Sequence, residues 1–322
     1  MRRSGGGAIL SSRKMSVTPL GERYVDLGVK AIDQDDLDKA LRYLNRALSL
    51  DSSSYLAYYN RAVAYDMLER LEEALVDYDR ALAIQPNHLA SQHNRAVLLR
   101  ELGRPREAIE AFEAVLRYDP DNGDVLYNRG IAYADLGQWD DALRDYERAI
   151  GADPQKIDAR IAKGNAFLEL GRVEDALQVA MDAVSRDERS VEARVLRGMA
   201  EFDSGRSSEA VEDFTRALDL TPDDHGALLH RGIVLLQLKR NEEAVRDLRD
   251  ALKNHPDCDE AFYHLAIAYV QLGDREAALD ALQKAIDIHP PRRTEAQKAQ
   301  EFDPLRSEPR FKAVVAGKRR RG

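Results

Sequence analysis

The chain has 322 residues, of which 44% are hydrophobic and 33% are charged, and its formal net charge is −9. No run of 18 or more apolar residues is present, and the single cysteine, Cys258, excludes a disulfide framework and a thiolate-bound metal cluster. These features predict a soluble, cytoplasmic protein without a membrane span.

Residues 1–20 form a basic N-terminal segment. They contain four Lys/Arg residues and no acidic residue, and their only apolar stretch, Ala8–Leu10, is too short for a secretory signal. We therefore expect a disordered basic tail. Residues 291–322 carry a net charge of +6, so residues 21–290 carry −19. An acidic body argues against a nucleic-acid-binding surface, which would be basic.

From residue 21 to residue 292 the sequence repeats every 34 residues, which indicates a small helical unit stacked many times. Alanine recurs eight times at this interval, and proline recurs six times, twelve residues after an alanine. The repeats are 21–54, 55–88, 89–122, 123–156, 157–190, 191–224, 225–258 and 259–292. The alanines are Ala40, Ala74, Ala108, Ala142, Ala176, Ala210, Ala244 and Ala278; the prolines are Pro86, Pro120, Pro154, Pro222, Pro256 and Pro290.

Within each repeat, numbered 1 to 34, the pattern predicts a helix over positions 1–14, a turn, and a second helix over about 18–31. Position 8 is always glycine or alanine and position 20 is always alanine, so the two helices can approach closely. Position 24 is usually large and fills the neighbouring space. Glycine at position 15 in five repeats is typical of a left-handed helix stop, and proline at position 32 ends the second helix.

These residues resemble the tetratricopeptide repeat family, whose pattern has small residues at positions 8, 20 and 27, aromatic residues at 11 and 24, and proline at 32. The resemblance implies an all-α fold: a right-handed superhelical α-solenoid of about eight helix-turn-helix repeats. A C-terminal capping segment is expected at 293–315, through Phe302, Leu305, Phe311 and Val314, followed by a disordered basic tail at 316–322.

Two departures from the family pattern predict local structure. Arginine at position 7 coincides with aspartate at position 23 in four repeats, which predicts partly buried ion pairs joining the two helices. Arg95 in repeat 3 breaks the rule because position 23 is Ala111. Repeat 5 is the least regular, with Ala180 where a large residue belongs and Glu188 in place of proline. A softer joint and ordinary sequence drift are both open there.

In this family the first helices line a concave groove through positions 2, 5, 6, 9, 12 and 13. Position 6 holds Asn60, Asn94 and Asn128 in repeats 2–4, flanked at position 5 by Tyr59, His93 and Tyr127. Asparagine amides donate and accept hydrogen bonds, so a ladder of them suits an extended peptide backbone and is similar to the ladder of O-GlcNAc transferases. The alternative is a set of solvated asparagines inherited from an ancestral repeat.

Position 13 carries an acidic stripe: Glu101, Asp135, Glu169 and Asp203. The end of a helix disfavours negative charge, so the stripe indicates either a cationic ligand segment or pairing with neighbouring Lys/Arg residues. At position 5 the later repeats become aliphatic, with Ile161, Val195 and Leu229.

No phosphate-binding glycine loop, nucleophile motif or zinc-spaced cluster occurs, and His230 and His264 make a poor metal site without a third ligand. We expect no catalytic residue, no metal and no cofactor. The predicted function is a non-enzymatic protein-protein interaction scaffold that holds an extended peptide of a partner in an acidic groove. The alternative is an adaptor or regulatory subunit whose basic tails contact nucleic acid or anionic membrane.

Overall fold

A computed structural model describes residues 19–316, which contain sixteen repeat helices and a short C-terminal helical segment. The first helix of each repeat is here called helix A. In chain order the A helices are α1 Leu20–Asp33, α3 Tyr55–Met67, α5 Leu89–Glu101, α7 Gly123–Asp135, α9 Ile157–Glu169, α11 Val191–Asp203, α13 His225–Gln237 and α15 Asp259–Leu272. The second helix of each repeat is here called helix B. The B helices are α2 Leu37–Leu50, α4 Leu71–Ile84, α6 Pro105–Leu116, α8 Trp139–Ala152, α10 Val173–Arg186, α12 Ser207–Leu220, α14 Asn241–Asn254 and α16 Arg275–Ile288.

The all-α repeat architecture predicted from the sequence is confirmed, with most helices ending one residue earlier than expected. The helices group into two compact units, residues 1–159 and 160–322. Unit 1 contains repeats 1–4 and the first three residues of α9, and unit 2 contains the rest of repeat 5 and repeats 6–8. In unit 1, α1 packs on α2, α3 on α4, α5 on α6 and α7 on α8. In unit 2, α11 packs on α12, α13 on α14 and α15 on α16.

The turn at position 15 requires a left-handed backbone in every repeat. Five repeats supply glycine, with φ between +68° and +83°, as the sequence predicts. The other three place Asp35, Glu69 and Lys239 there, with φ of about +60°. The turn geometry is therefore fixed by the packing of the two helices, because it persists where the residue is unfavourable.

The next repeat begins with a side-chain cap at position 34. Ser54, Asn122, Ser190 and Asp224 each accept a hydrogen bond from a backbone N–H in the first turn of the following helix A. Cys258 occupies the same position, and its Sγ lies 3.4 Å from the Ala261 nitrogen. Cys258 is therefore a helix cap like the residues at this position in the other repeats named here.

The core of each repeat depends on the small residue at position 8 facing the large residue at position 24. All eight position-20 alanines are fully buried, and so are the position-24 side chains. A Cβ atom on Gly130 would lie 2.6 Å from Cε1 of Tyr146, and one on Gly232 would lie 2.8 Å from Cγ of Leu248. The helices thus approach at a distance that only a very small side chain permits.

In repeat 5, a residue from repeat 6 fills the space that the position-24 side chain fills in the other repeats. Because Ala180 leaves the position-24 space empty, Leu196 fills it and packs directly against Gly164. The missing proline has no effect on the helix end. Helix α10 stops at Arg186, and Asp187 is extended like the residue at this position in neighbouring repeats.

The predicted ion pairs between positions 7 and 23 are confirmed. Arg61 and Asp77, Arg129 and Asp145, Arg197 and Asp213, and Arg231 and Asp247 each form two parallel hydrogen bonds. The aspartates are nearly inaccessible to solvent. The exception, Arg95, pairs with Asp79 of the preceding repeat at 2.5 Å.

Glu201 sits at position 11, which is aromatic or leucine in most repeats. One of its carboxylate oxygens is buried without a hydrogen-bond partner among the described residues. Burial and, secondarily, the nearby Asp213 carboxylate raise the pKa of Glu201 to about 7. Its folded form therefore retains a proton that the unfolded chain releases near pH 4.5.

The C-terminal segment covers the last repeat. It comprises α17 Arg292–Lys298, a 3₁₀ helix Gln300–Leu305 and α18 Pro309–Val315. Phe302, Leu305, Phe311 and Val314 are all buried in one cluster with the side chains of α15 and α16. This arrangement removes from water an apolar helix face that has no further repeat to pack on.

Removing one member of a position-7 ion pair is expected to destabilise the protein more than removing both. Asp145→Ala leaves the Arg129 guanidinium, only 14% exposed, without its partner and should lower the free energy of unfolding by about 3 kcal/mol. The double variant Arg129→Leu/Asp145→Ala reproduces the Leu265 and Ala281 of repeat 8 and should recover at least half of that loss. Urea unfolding followed by helical circular dichroism would measure both, and a double variant as unstable as Asp145→Ala would contradict the interpretation.

Glu201 is expected to make stability depend on pH. The pKa of Glu201 in the folded protein lies above its ordinary value. Its contribution to the free energy of unfolding is therefore greatest below about pH 4.5 and is lost as pH rises towards 7. Glu201→Gln should therefore gain stability relative to the native protein between pH 4 and pH 8, by up to about 3 kcal/mol. Denaturant unfolding at both pH values would test this, with the exposed Glu209→Gln as the control. An equal effect of Glu201→Gln at both pH values would refute it.

Candidate functional site

The predicted site residues of repeats 2–4 lie on helices α3, α5 and α7. In each unit, positions 2, 5, 6, 9, 12 and 13 of the A helices are here called the A-helix face. Tyr59 is the first of the site residues and is almost completely buried, at 1% exposed. Its ring meets the His88 ring edge-on at 4.9 Å and lies 6.1 Å from the Tyr78 ring. Burial raises the pKa of Tyr59, as expected for a phenol held within the core.

His93 and Tyr127, the equivalent residues in repeats 3 and 4, are only half-buried. Each ring packs on the position-24 aromatic residue of its own repeat, Phe112 at 5.9 Å and Tyr146 at 6.2 Å. Burial lowers the pKa of His93, so its imidazole is neutral at pH 7. The Lys156 ammonium lies 5.2 Å from the centre of the Tyr127 ring and also pairs with Asp124. The accessible part of Tyr127 thus has a cation beside it.

The three asparagines differ in their surroundings. Asn60 is buried at 1% exposed, and its amide nitrogen donates to the Leu56 carbonyl at 2.7 Å. Asn94 is half-buried, and its amide nitrogen lies 3.3 Å from the Tyr78 hydroxyl and 3.5 Å from that of Tyr59. Asn128 is half-buried and has no hydrogen bond to any described residue. Only Asn128 presents an amide with no internal partner.

The acidic stripe at position 13 lies mostly at the surface. Asp135, Glu169 and Asp203 are exposed, and Glu101 is half-buried. Asp135 lies 3.5 Å from the Arg100 guanidinium at position 12 of the preceding repeat. This contact corresponds to the alternative in which the stripe pairs with neighbouring cations. Within residues 19–316, Glu169 and Asp203 form no ion pair or hydrogen bond through their carboxylates.

The A-helix face thus changes character between the two units. In unit 1, His93, Asn94, Tyr127 and Asn128 form a polar and aromatic surface on α5 and α7. In repeats 5–7 of unit 2, position 5 is aliphatic, with Ile161 and Val195 half-buried and Leu229 buried, and repeat 8 has the buried Tyr263 there. The contact between Tyr59 and Tyr78 was missed in the sequence, although aromatic residues at both positions 5 and 24 of repeats 2–4 signal it.

A metal site and a membrane span each set requirements that the described residues can be compared with. Between residues 19 and 316, no group of three His, Cys, Asp or Glu residues is placed to hold a metal ion. Burial, and then the charge of Arg292, lower the pKa of His264 to about 4, so this imidazole is neutral at pH 7. Every helix in the same range is too short or too polar to cross a lipid bilayer. The predicted basic tails at 1–20 and 316–322 fall almost wholly outside the described residues.

Comparison with solved structures shows the same fold. A tetratricopeptide repeat protein from Parabacteroides merdae is 21% identical, with a TM-score of 0.66, and the match covers 77% of this chain and 98% of that protein. PilW, a type IV pilus biogenesis factor, is 23% identical with a TM-score of 0.60, over 66% of this chain and 98% of PilW. Yeast Tom70 is 18% identical with a TM-score of 0.61, over 96% of this chain and 69% of Tom70.

Comparison of sequences agrees with the structural result. An uncharacterised protein of Methanocaldococcus jannaschii is 40% identical over 53 residues, which are 16% of this chain, and the chain spans about three fifths of that relative's length. Profiles described as tetratricopeptide repeat match six overlapping or separate segments: 55–88, 93–157, 128–190, 161–225, 195–248 and 229–292. These segments cover well over half of the chain, which therefore belongs to the tetratricopeptide repeat family.

Proposed function

We propose that this protein is a non-enzymatic interaction scaffold that binds an extended peptide segment of a partner protein along the A-helix face of repeats 2–4. The family supports a protein-interaction role in general. The specific surface is proposed from the side chains of α5 and α7, where aromatic and amide groups lie side by side and partly accessible. Such a mixture of polar and aromatic groups is typical of peptide-binding surfaces.

The observation that carries the proposal is the unpaired amide of Asn128. An amide donates and accepts, so it can bond to the N–H and C=O groups of one extended residue whatever that residue's side chain. Asn94 can take part through its carboxamide oxygen, since its nitrogen is directed towards the two tyrosine hydroxyls. Tyr59 and Asn60 support this surface from within the core, because both are buried.

His93 and Tyr127 would flank the peptide. Their rings are held by the aromatic residues beneath them, so little conformational freedom is lost when a ligand packs on them. Glu101 and Asp135 give the A-helix face of repeats 2–4 an acidic border, which favours a segment containing lysine or arginine. Asp135 shares its charge with Arg100.

Peptides selected from a random display library on the full-length protein would test this proposal. Asn128→Ala should weaken the binding of the selected peptides at least fivefold, because a hydrogen bond of about 1 kcal/mol is lost, while the melting temperature stays unchanged. Asn60→Ala should instead lower the melting temperature, because its amide bonds within the core. Isothermal titration calorimetry and thermal unfolding would measure the two effects.

The matched control is Asn254→Ala, which removes an exposed asparagine at the end of α14, outside the A-helix face. It should leave peptide affinity unchanged. The proposal fails if Asn128→Ala and Tyr127→Ala are both stable and bind every selected peptide as tightly as the native protein does.

A further inference from the structure

An open cavity of about 370 Å³ lies on the A-helix face of unit 2. Its apolar walls are Ile161 on α9 and Val191, Val195, Leu196 and Met199 on α11. The N-terminal end of α13 closes one side through Asp224 and Gly226. This cavity is here called the repeat-6 pocket, and its volume is in the range of sites that enclose a small ligand or a large side chain.

The pocket follows from the irregularity of repeat 5. Position 6 carries asparagine in repeats 2–4, but in repeat 6 it carries Leu196, which turns inward to fill the space left by Ala180. Position 6 of repeat 6 therefore carries no amide. Leu196 is itself fully buried, so the accessible apolar surface of the pocket comes from Ile161, Val191, Val195 and Met199. The pocket thus lies where two residues depart from the pattern of the other repeats, Ala180 at position 24 of repeat 5 and Leu196 at position 6 of repeat 6.

The other walls are held firmly and leave one side open. Val191 and Val195 pack partly against the buried cluster of Ala217 and Leu218, and Ile161 packs against the cluster of Ala183 and Val184. Their remaining surfaces face the cavity. Four half-buried apolar side chains around one cavity leave apolar area that a ligand can remove from water.

Gly226 leaves the mouth of the pocket open. A Cβ atom at this position would lie 3.5 Å from Oδ1 of Asp224 and 3.9 Å from Cγ1 of Val195, which are ordinary contacts. Alanine therefore fits without strain, while a longer side chain would extend into the pocket. This position offers a way to block the pocket without altering the core.

Carboxylates stand at both ends of the apolar walls. Glu192 lines the pocket itself, and Asp203 lies one turn beyond Met199 on the same face of α11. On α9, Glu169 lies one turn beyond the pocket residue Asn165. Within residues 19–316, none of these three carboxylates forms an ion pair or hydrogen bond. Partial desolvation by the neighbouring protein raises the pKa of Asp203, and the nearby His230 opposes this shift.

The spacing of the acids defines the ligand. Glu192 and Asp203 are eleven positions apart on α11, which is about 16 Å along the helix. An extended polypeptide covers that distance in about five residues. We infer that the repeat-6 pocket binds one large aliphatic side chain of an extended partner segment that carries lysine or arginine two or three residues to each side.

This inference rests on the proposed function only in taking an extended segment as the ligand. Its site lies in unit 2, and it requires none of the residues of repeats 2–4. The two proposals can therefore fail separately, provided that binding is observed at the pocket itself.

Met199 supplies such a probe. The chain has only five methionines, so protein labelled with ¹³C at the methionine methyl groups gives few NMR signals. Met199 lines the pocket, whereas Met67 and Met181 are exposed elsewhere and serve as internal references. The ligand probe is the synthetic peptide Ser-Lys-Ser-Leu-Ser-Ser-Lys-Ser, titrated into the full-length protein, with two matched peptides in which leucine becomes serine or both lysines become glutamate.

The expected result is a saturable shift of the Met199 methyl signal with the leucine peptide and none with the two matched peptides. Gly226→Leu should abolish the shift and Gly226→Ala should preserve it. The double variant Glu192→Gln/Asp203→Asn should weaken binding about fivefold, and raising the salt concentration should weaken binding to the native protein. Melting temperatures of all variants would show that each is folded.

Three results would overturn the inference: no Met199 shift at millimolar peptide, an equal shift with the serine peptide, or an undiminished shift in a folded Gly226→Leu variant. The outcome for Asn128→Ala has no bearing on these signals. A Met199 shift that survives Asn128→Ala supports the pocket whatever happens to the proposed surface in repeats 2–4.

Discussion

The rest of this structure depends on the close approach of helix A to helix B. In this contact the small residue at position 8 packs against the large residue at position 24. Where Gly130 faces Tyr146, a single added carbon would overlap the ring. That contact fixes how closely the two helices of a repeat approach, and the left-handed turn at position 15 that joins them persists even where Asp35, Glu69 or Lys239 must adopt it. The ion pairs at positions 7 and 23 then close the same interface at its edge.

One exception to this contact changes the chemistry of a surface. In repeat 5 the large residue is absent, and Leu196 of the next repeat replaces it. A core requirement is thus met by a side chain at position 6 of repeat 6, and this position consequently carries no amide on the A-helix face. The packing of the core and the composition of the binding surface are therefore coupled at Leu196. The surface of repeat 6 differs from that of repeats 2–4 because Ala180 leaves a space in the core that Leu196 fills.

Most of the fold could be predicted from the sequence because its determinants are local and repeated. Period, turn glycines and the ion pairs all follow from residues at fixed spacing, and even the exception Arg95 was visible as a missing aspartate. The candidate site was harder to predict, because its positions vary from repeat to repeat. Asn60 and Asn128 occupy the same position, yet one amide bonds to Leu56 in the core and the other has no internal partner. That difference depends on how neighbouring helices cover each position, which periodicity does not encode. Likewise, Ala180 was recognised as irregular, but the residue that compensates for it lies in another repeat.

The position-7 arginines also reach back to the repeat before their own. Arg61 donates to Asn45, Arg95 to Asp79 and Arg231 to Thr215, all at position 25 of the preceding helix B. Repeats are consequently not equivalent building blocks, because the loss or duplication of a 34-residue unit changes the residue that such an arginine meets at position 25. Loss of repeat 3 would bring Arg129 next to Asp79, which can accept its hydrogen bond. Loss of repeat 6 would bring Arg231 next to Met181, which cannot. The order of the repeats therefore matters at the three junctions that carry this hydrogen bond, whereas the junction before repeat 6, where position 25 is Met181, is formed without one.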